Sequence, residues 1–421
     1  MPTGSDTKVV GQRVRPLKRG TSRATNLGSQ GQRNARILFA WETGANLGHA
    51  FPLAQIGRGL SAEGSQCFFA VRDVAYGRMA LEGTGISLLQ APNWPDHQHF
   101  GNQDGQASYA DVLALIGFGD ADKLSAMFAA WSSLLDLVEP DVVVADHCPA
   151  LLPLLRARKI DCVAVGTGYT MPPLDYPSLP PLRADRGPLL PERSLLTSLT
   201  KALASQGLDA PQNLPGAFQS TERFVFSFPE LDAHRSWRRE PLFLPPESLP
   251  HFCDPPLQPH LFVYVGSEFP DVEGLAQQLG QLPFAVSCFL RDAPAALNVF
   301  LRLRGVAAFD KPPNLAELLP TVSHVLSQGG NFICHAAMAA GRPHLILPLH
   351  GETQINLETL TRLGIARALA SPINVENIGH FLCDAHLLSN ARQWAMVIAK
   401  RDQPSGLDAV LTAIRRCRAF A

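Results

Sequence analysis

Seven prolines fall within residues 241–259 (Pro241, Pro245, Pro246, Pro250, Pro255, Pro256 and Pro259). Each fixes one backbone dihedral and removes one N–H donor, so no helix or central strand can hold this run. It reads as a linker, and the chain on either side must build its own core. Before it, apolar runs that predict strands lie at 36–41 (RILFAW), 66–71 (QCFFAV), 86–90 (ISLLQ), 141–145 (DVVVA), 161–165 (DCVAV) and 223–227 (RFVFS), with a helix predicted over 51–62. After it the alternation restarts, with strands at 261–265, 284–289, 305–309, 322–326 and 344–347 and helices near 271–281, 314–319, 331–340 and 353–363. The last fifty residues read as helices. The strand runs are continuously apolar, as expected for parallel strands covered on both faces. Two such series predict an α/β chain of two doubly wound domains facing across a cleft. The boundaries are a disordered basic tail at 1–35, an N-terminal domain at 36–240, the linker at 241–259 and a C-terminal domain at 260–421.

The formal charge of −1 hides two unlike parts. Residues 1–36 carry eight basic side chains against the single acid Asp6, which leaves −8 on the remaining residues. That balance argues against binding nucleic acid through bulk charge. No apolar stretch is long enough to span a bilayer, and the tail lacks the apolar segment of a secretory signal, so a cytoplasmic location is expected. The eight cysteines form no CxxC pair and the thirteen histidines no HExxH, so neither disulfides nor a metal is expected.

The densest information lies in residues 327–356, SQGGNFICHAAMAAGRPHLILPLHGETQIN. A strand runs into Gly329–Gly330 and then a helix that ends at Gly341, with Pro343 just beyond. Paired glycines at such a turn let a ligand approach the backbone, where free N–H groups and the helix dipole favour an anion. No Lys or Arg lies between 312 and 341, so an anion here would be held mainly by backbone. This segment resembles the donor-binding signature of the UDP-glycosyltransferase superfamily, HGGxGTxxEAxxxGxP, a strand, then PxxxDQxxN. Gly329, Gly330, Ala337, Gly341, Pro343, Pro348 and Asn356 match without a gap. Upstream, KPPNLAELLP (311–320) is similar to the family's base-binding WxPQxxxLL segment, with Pro313 and Asn314 in register. The strand ending at Ser267 resembles the family's VSLGS strand end, whose hydroxyl faces the diphosphate.

The departures are as informative. Gln328 stands where the family has a phosphate-contacting His, and Phe332 and Ile333 replace the pair that contacts the diphosphate. Ala336 replaces the Glu that binds ribose, Lys311 stands where many relatives stack a Trp on the base, and Glu352–Thr353 replaces the Asp–Gln that holds the donor sugar. The resemblance thus implies a retained architecture with altered donor chemistry.

The first predicted strand leads into ETGANLGHAFP (42–52), which offers His49 at the mouth of the first strand-to-helix turn. Ligands bind at the carboxyl ends of parallel strands. Gly48-His49-x-x-Pro52 resembles the acceptor-side motif of the same superfamily, in which this His is the general base. Its partner there is an Asp at the end of a later strand, a position matched by Asp146. A hydroxyl is a poor nucleophile, so a neutral imidazole must take its proton during attack, and a carboxylate on the far ring nitrogen fixes the tautomer. His147 and Cys148 read as packing or lining residues, and His335 and His344 as core or capping residues. His97 and His99 in the loop 91–107, and the proline-stiffened segment 168–183, are placed to line an acceptor pocket.

The resemblance, to macrolide and flavonoid glycosyltransferases of bacterial type, implies a GT-B-like fold and an inverting, metal-independent glycosyltransferase without a cofactor. It would move a sugar from a nucleotide-sugar donor to a hydroxyl of a small-molecule acceptor. The implied catalytic residues are His49 and Asp146. The implied donor-binding residues are Ser267, Pro313, Asn314, Gln328, Gly329, Gly330, Asn331, Glu352 and Thr353, with residues 36–240 binding the acceptor and 260–421 the nucleotide sugar. The alternatives are a degenerate relative that binds a ligand or partner without catalysis, motivated by Phe332, Ile333 and Ala336, and an epimerase or hydrolase on the same scaffold.

Overall fold

The computed structural model describes residues 34–44, 47–94, 106–369 and 372–417. The basic tail through residue 33, with His97 and His99, lies outside the described residues. The first series runs β1 (Arg36–Trp41), α1 (Leu47–Ala62), β2 (Gln66–Val71), α2 (Val74–Ala80), β3 (Ser87–Gln90), α3 (Tyr109–Ile116) and α4 (Ala121–Val138). It continues through β4 (Val142–Asp146), α5 (Leu151–Arg158), β5 (Cys162–Thr167), α6 (Glu192–Ser205), β6 (Glu222–Phe226) and β7 (Leu242–Phe243). The second series begins with β8 (His260–Gly266), α7 (Val272–Leu279), β9 (Ala285–Arg291), α8 (Ala295–Leu303), β10 (Ala307–Ala308) and α9 (Leu315–Leu318). There follow β11 (His324–Ser327), α10 (Asn331–Ala340), β12 (His344–Ile346), α11 (Gly351–Arg362), β13 (Ala366–Ala368), α12 (Val375–Leu382), α13 (Ala385–Ala399) and α14 (Gly406–Arg416).

Both sheets are parallel throughout the described residues. The first has the order β3-β2-β1-β4-β5-β6-β7 and the second β10-β9-β8-β11-β12-β13. Each order reverses direction once, between β1 and β4 and between β8 and β11. At such a switch point neighbouring strands send their connections to opposite faces, leaving a crevice at their carboxyl ends. Ile37, Leu38, Phe39, Val142, Val143 and Val144 are fully buried, which is why these runs read as apolar without alternation.

Two elements depart from the expected boundaries. β7 lies inside the proline-rich segment, between Pro241 and Pro245, and is tolerated because it pairs on one side only, with β6. α14 belongs to the first core although it follows the second domain in sequence. Val410, Leu411 and Ile414 join the cluster of Phe39, Leu53 and Phe69, and Gly59 brings α1 within 3.3 Å of the Leu411 side chain for an added Cβ. The boundary predicted at 260–421 is therefore corrected, because the apolar face of α14 is buried against α1 and the first sheet rather than the second.

Ile414 is completely buried. Ile414→Ala should cost about 2–5 kcal/mol in denaturant unfolding. A loss below about 1 kcal/mol would mean that α14 is not part of this core.

Candidate active site

β1 and β4 are paired with Trp41 opposite Asp146, so their carboxyl ends open into one crevice. The chain leaves β1 through Gly44, whose φ of +94° suits glycine, and a Cβ there would lie 2.8 Å from Trp41 Cζ2. This lets the loop close over the buried Trp41, whose indole stacks on His49 at 5.4 Å between ring centroids. His49 lies within the first turn of α1, which begins earlier than the helix predicted over 51–62. Its Nδ1 lies 2.8 Å from Oδ2 of Asp146, the last residue of β4. An ionised carboxylate can only accept, so Nδ1 carries the proton and Nε2 is the basic nitrogen of the neutral ring.

Burial pulls the His49 pKa down, but the charge and hydrogen bond of Asp146 outweigh it, with Glu352 and Glu247 adding to the attraction. The net shift is upward from the ordinary value of 6.5. Glu247, half-buried on the segment after β7, is itself pushed up to about 8 by desolvation and by the charge of Asp146.

One residue beyond β1 is a fully buried carboxylate, Glu42. Its Oε1 accepts from Trp94 Nε1 at 2.6 Å and Ala150 N at 2.8 Å. Its Oε2 accepts from Trp131 Nε1 and Leu151 N, both at 3.0 Å. It thus caps α5 from a distance, where a negative charge is favoured. Burial raises its pKa to about 7 against the pull of these donors. Thr43 adds a second tie, its hydroxyl donating to His147 O at 3.0 Å. His147 has a φ of +45°, which turns the chain sharply from Asp146 towards α5. Together these contacts lock the end of β1 to the end of β4.

In the first domain, Thr170, Met171 and Pro172 of segment 168–183 line a small cavity with Tyr109, His147 and Phe218. Arg238 holds that segment by donating to Met171 O at 2.8 Å while paired with buried Asp232 at 2.7 Å. Cys148 is buried in the core, as are His335 and His344.

The second sheet repeats the arrangement. Gly329 follows β11 with a φ of +78°, and a Cβ there would meet Ile346 Cγ2 at 2.7 Å. Its carbonyl accepts from Asn356 Nδ2 at 2.9 Å, and its N–H donates to Ser327 Oγ at 2.9 Å. Gly330 is the N-cap of α10 and has no capping side chain, and the space where its Cβ would sit is empty to 4 Å. The Phe332 side chain therefore does not fill that space, and Ile333 points into the core. Gln328 accepts from Gly266 N at 3.2 Å, and its buried Nε2 has no hydrogen-bond partner among the described residues. A helix N-terminus with no capping side chain, beside an unused amide donor, suits an anion.

Across the crevice, Glu352 accepts a hydrogen bond from Thr167 Oγ1 of the first domain at 3.0 Å. Beside it, Gly351 packs against Gln106, which accepts from Tyr169 OH at 2.8 Å. Two residues expected at the donor site make hydrogen bonds within their own helices. Thr353 spends its hydroxyl on capping α11, accepting from Leu349 N and His350 N and donating to His350 O. Asn314 caps α9, accepting from Ala316 N and donating to Glu317 Oε1. Its neighbour Pro313 is half-buried and offers no donor, while Ser267 is exposed just beyond β8 and Asn331 opens α10. No sequence motif marks Glu42, Glu247 or Thr167. Glu42 is an acid directly after a strand end, and Glu247 lies within the proline run.

No protein-family model matches the sequence, and no curated protein matches it. Solved structures do. The calicheamicin glycosyltransferase CalG4 aligns over 92% of this chain and 100% of its own, with a TM-score of 0.64 and 19% identity. The glycosyltransferase SsfS6 of Streptomyces sp. SF2575, complexed with thymidine diphosphate, aligns over 91% and 100%, with a TM-score of 0.59 and 21% identity. The spinosyn rhamnosyltransferase SpnG, complexed with spinosyn aglycone, aligns over 90% and 99%, with a TM-score of 0.59 and 15% identity. The chain has the GT-B fold. In this GT-B chain, no helix among the described residues is long and apolar enough to cross a membrane, and no group of three or more His, Cys, Asp or Glu residues could hold a metal ion.

Glu42→Gln would place an NH2 group against N–H donors. It should destabilise the chain by about 2–4 kcal/mol in denaturant unfolding, with near-native circular dichroism before the transition. Unchanged stability would show that the carboxylate is not the anchor.

Proposed function

We propose that the chain is a cytoplasmic, inverting, metal-independent glycosyltransferase that moves a sugar from a nucleoside diphosphate to a hydroxyl of a small acceptor. The observation that carries this reading is the His49–Asp146 contact at the switch point of the first sheet. The acceptor hydroxyl oxygen attacks the anomeric carbon while His49 Nε2 takes its proton, and the bond to the β-phosphate oxygen breaks with the electrons leaving on the nucleoside diphosphate. Asp146 orients the ring and stabilises the imidazolium. One displacement inverts the anomeric centre, and no second nucleophile is required.

The leaving diphosphate fits the open N-terminus of α10 and the Gln328 amide, and Glu352 is positioned to accept from donor-sugar hydroxyls once its bond to Thr167 opens. The thymidine diphosphate of the SsfS6 complex and the spinosyn aglycone of the SpnG complex support the same two substrate classes. Recognition of the ribose must differ from the familiar pattern, since Ala336 is fully buried in the core. That observation favours, as a second reading, a protein that binds its ligand without transfer.

Screening purified protein against uridine and thymidine diphosphate sugars, with candidate polyphenol and macrolide acceptors, separates the two. Donor binding with no transfer to any acceptor and no hydrolysis would favour the second reading. In an active pairing, His49→Ala should lower kcat by roughly 10²–10⁴-fold while leaving the Kd for the nucleoside diphosphate unchanged. Equal loss of both would remove His49 from its role as base. Activity should survive EDTA; abolition restored by a divalent ion would overturn metal independence.

Because His49 works unprotonated and its pKa is raised, kcat/KM should climb with pH through an apparent pKa above 6.5. Asp146→Asn removes the main attraction that opposes desolvation, so this acid limb should move to lower pH as the rate falls. A limb that stays fixed in Asp146→Asn would assign the titration to another group.

A further inference from the structure

The proposed donor site lies in an acidic body, and the stretch 312–341 around its glycine turn contains no Lys or Arg. A departing nucleoside diphosphate carries two or more negative charges. Backbone amides and one glutamine can orient it but do not neutralise it. A cation already stands next to this turn. Arg291, the last residue of β9, has a side chain only 8% exposed and is ion-paired with Glu268, whose side chain is 40% exposed. The pair lies directly over Gly266, where a Cβ would overlap both side chains. Gly266 precedes Ser267, and its N–H donates to Gln328, so the guanidinium adjoins two of the residues proposed to face the diphosphate.

The surroundings hold the guanidinium in place. Its Cζ lies 5.7 Å from the centre of the Tyr76 ring, which α2 of the first domain presents across the crevice. Tyr76 OH donates to Asp292, whose Oδ2 is 4.0 Å from Arg291 Nε. Ser267 N donates to the Arg291 carbonyl at 2.9 Å, tying the two strand ends together. The planar fork of a guanidinium binds a carboxylate and a phosphate with the same geometry.

Resting on the transferase reading above, we propose that Arg291 is the cation that binds the donor's diphosphate, with Glu268 as its placeholder. When the diphosphate enters, the more exposed Glu268 carboxylate swings into solvent and the phosphate oxygens take its place on the guanidinium. Tyr76 keeps the guanidinium aimed during the exchange, so the contact is available when the two domains are together.

The test is calorimetric titration with uridine diphosphate and thymidine diphosphate. Against wild type, Arg291→Gln should weaken the Kd about tenfold to a hundredfold, with Arg291→Lys recovering part of the loss. Glu268→Gln should act in the opposite direction and tighten binding severalfold, because it removes the competing carboxylate. Affinity for the parent nucleosides should be the same in all four proteins. Weakening by both Arg291→Gln and Glu268→Gln, in parallel with a lowered Tm, would mean that the pair is structural and overturn the proposal. Wild-type binding that Arg291→Gln leaves intact would remove Arg291 and leave the transferase reading standing. No binding of either nucleotide by wild type would overturn both.

Discussion

The carboxylate of Glu42 is the contact on which the candidate site depends. It is fully buried, yet it meets indole N–H groups from two separate segments and the first backbone amides of α5. Removing a charge from water is costly, and the cost is offset only when every lone pair finds a donor. Here four donors meet the two oxygens and offset part of that cost, so Glu42 cannot shift against α5 without leaving them unpaired. His49 starts from one side of this junction and Asp146 from the other. Their 2.8 Å contact thus spans two strand ends that Glu42 and Thr43 tie together.

The two sheets use the same device for different chemistry. Each reverses its strand order once, and each places its distinctive residues at that reversal. In the first sheet the crevice holds the base, with Asp146 beside it and Glu247 and Glu352 acting on it from the segment after β7 and from the second domain. In the second it gathers N–H donors, from an uncapped helix and a glutamine. Carboxylates from both halves, Asp146 on β4 and Glu352 on α11, keep the histidine basic, while the N-terminus of α10 and the Gln328 amide in the second half offer a place for negative charge.

Much of the fold could be read from the sequence because parallel strands buried on both faces leave uninterrupted apolar runs. β1 at Arg36–Trp41, β2 at Gln66–Val71 and α10 at Asn331–Ala340 have the predicted bounds. β7 escaped because an edge strand needs hydrogen bonds on one side only and can sit among prolines. The destination of α14 escaped because periodicity shows that a helix has an apolar face, not which sheet will cover it. The pairing of His49 with Asp146 comes from the resemblance of GHxxP and the later strand end to a known motif, since strand ends alone do not say which two side chains meet. Asn314 and Thr353 show the limit of motif matching: a polar residue at a helix start looks the same whether it holds a ligand or caps its own helix. Here hydrogen bonds to their own helices account for both. Glu42 is the converse case, since an acid that reads as loop polarity is in fact the most deeply bonded group near the site.

The return of α14 makes the chain pass between the halves twice, and the two passages are joined. Leu244 on the outward segment donates to Pro404 O at 2.9 Å and accepts from Gly406 N at 3.1 Å on the way back. The halves are therefore stitched along a doubled spine rather than strung on a single thread. Cutting the chain once cannot yield two self-contained modules, because the first half keeps its last helix beyond the end of the second. A chimera that exchanges the first half between chains of this shape must carry two pieces of sequence, residues 36–243 and α14 with them.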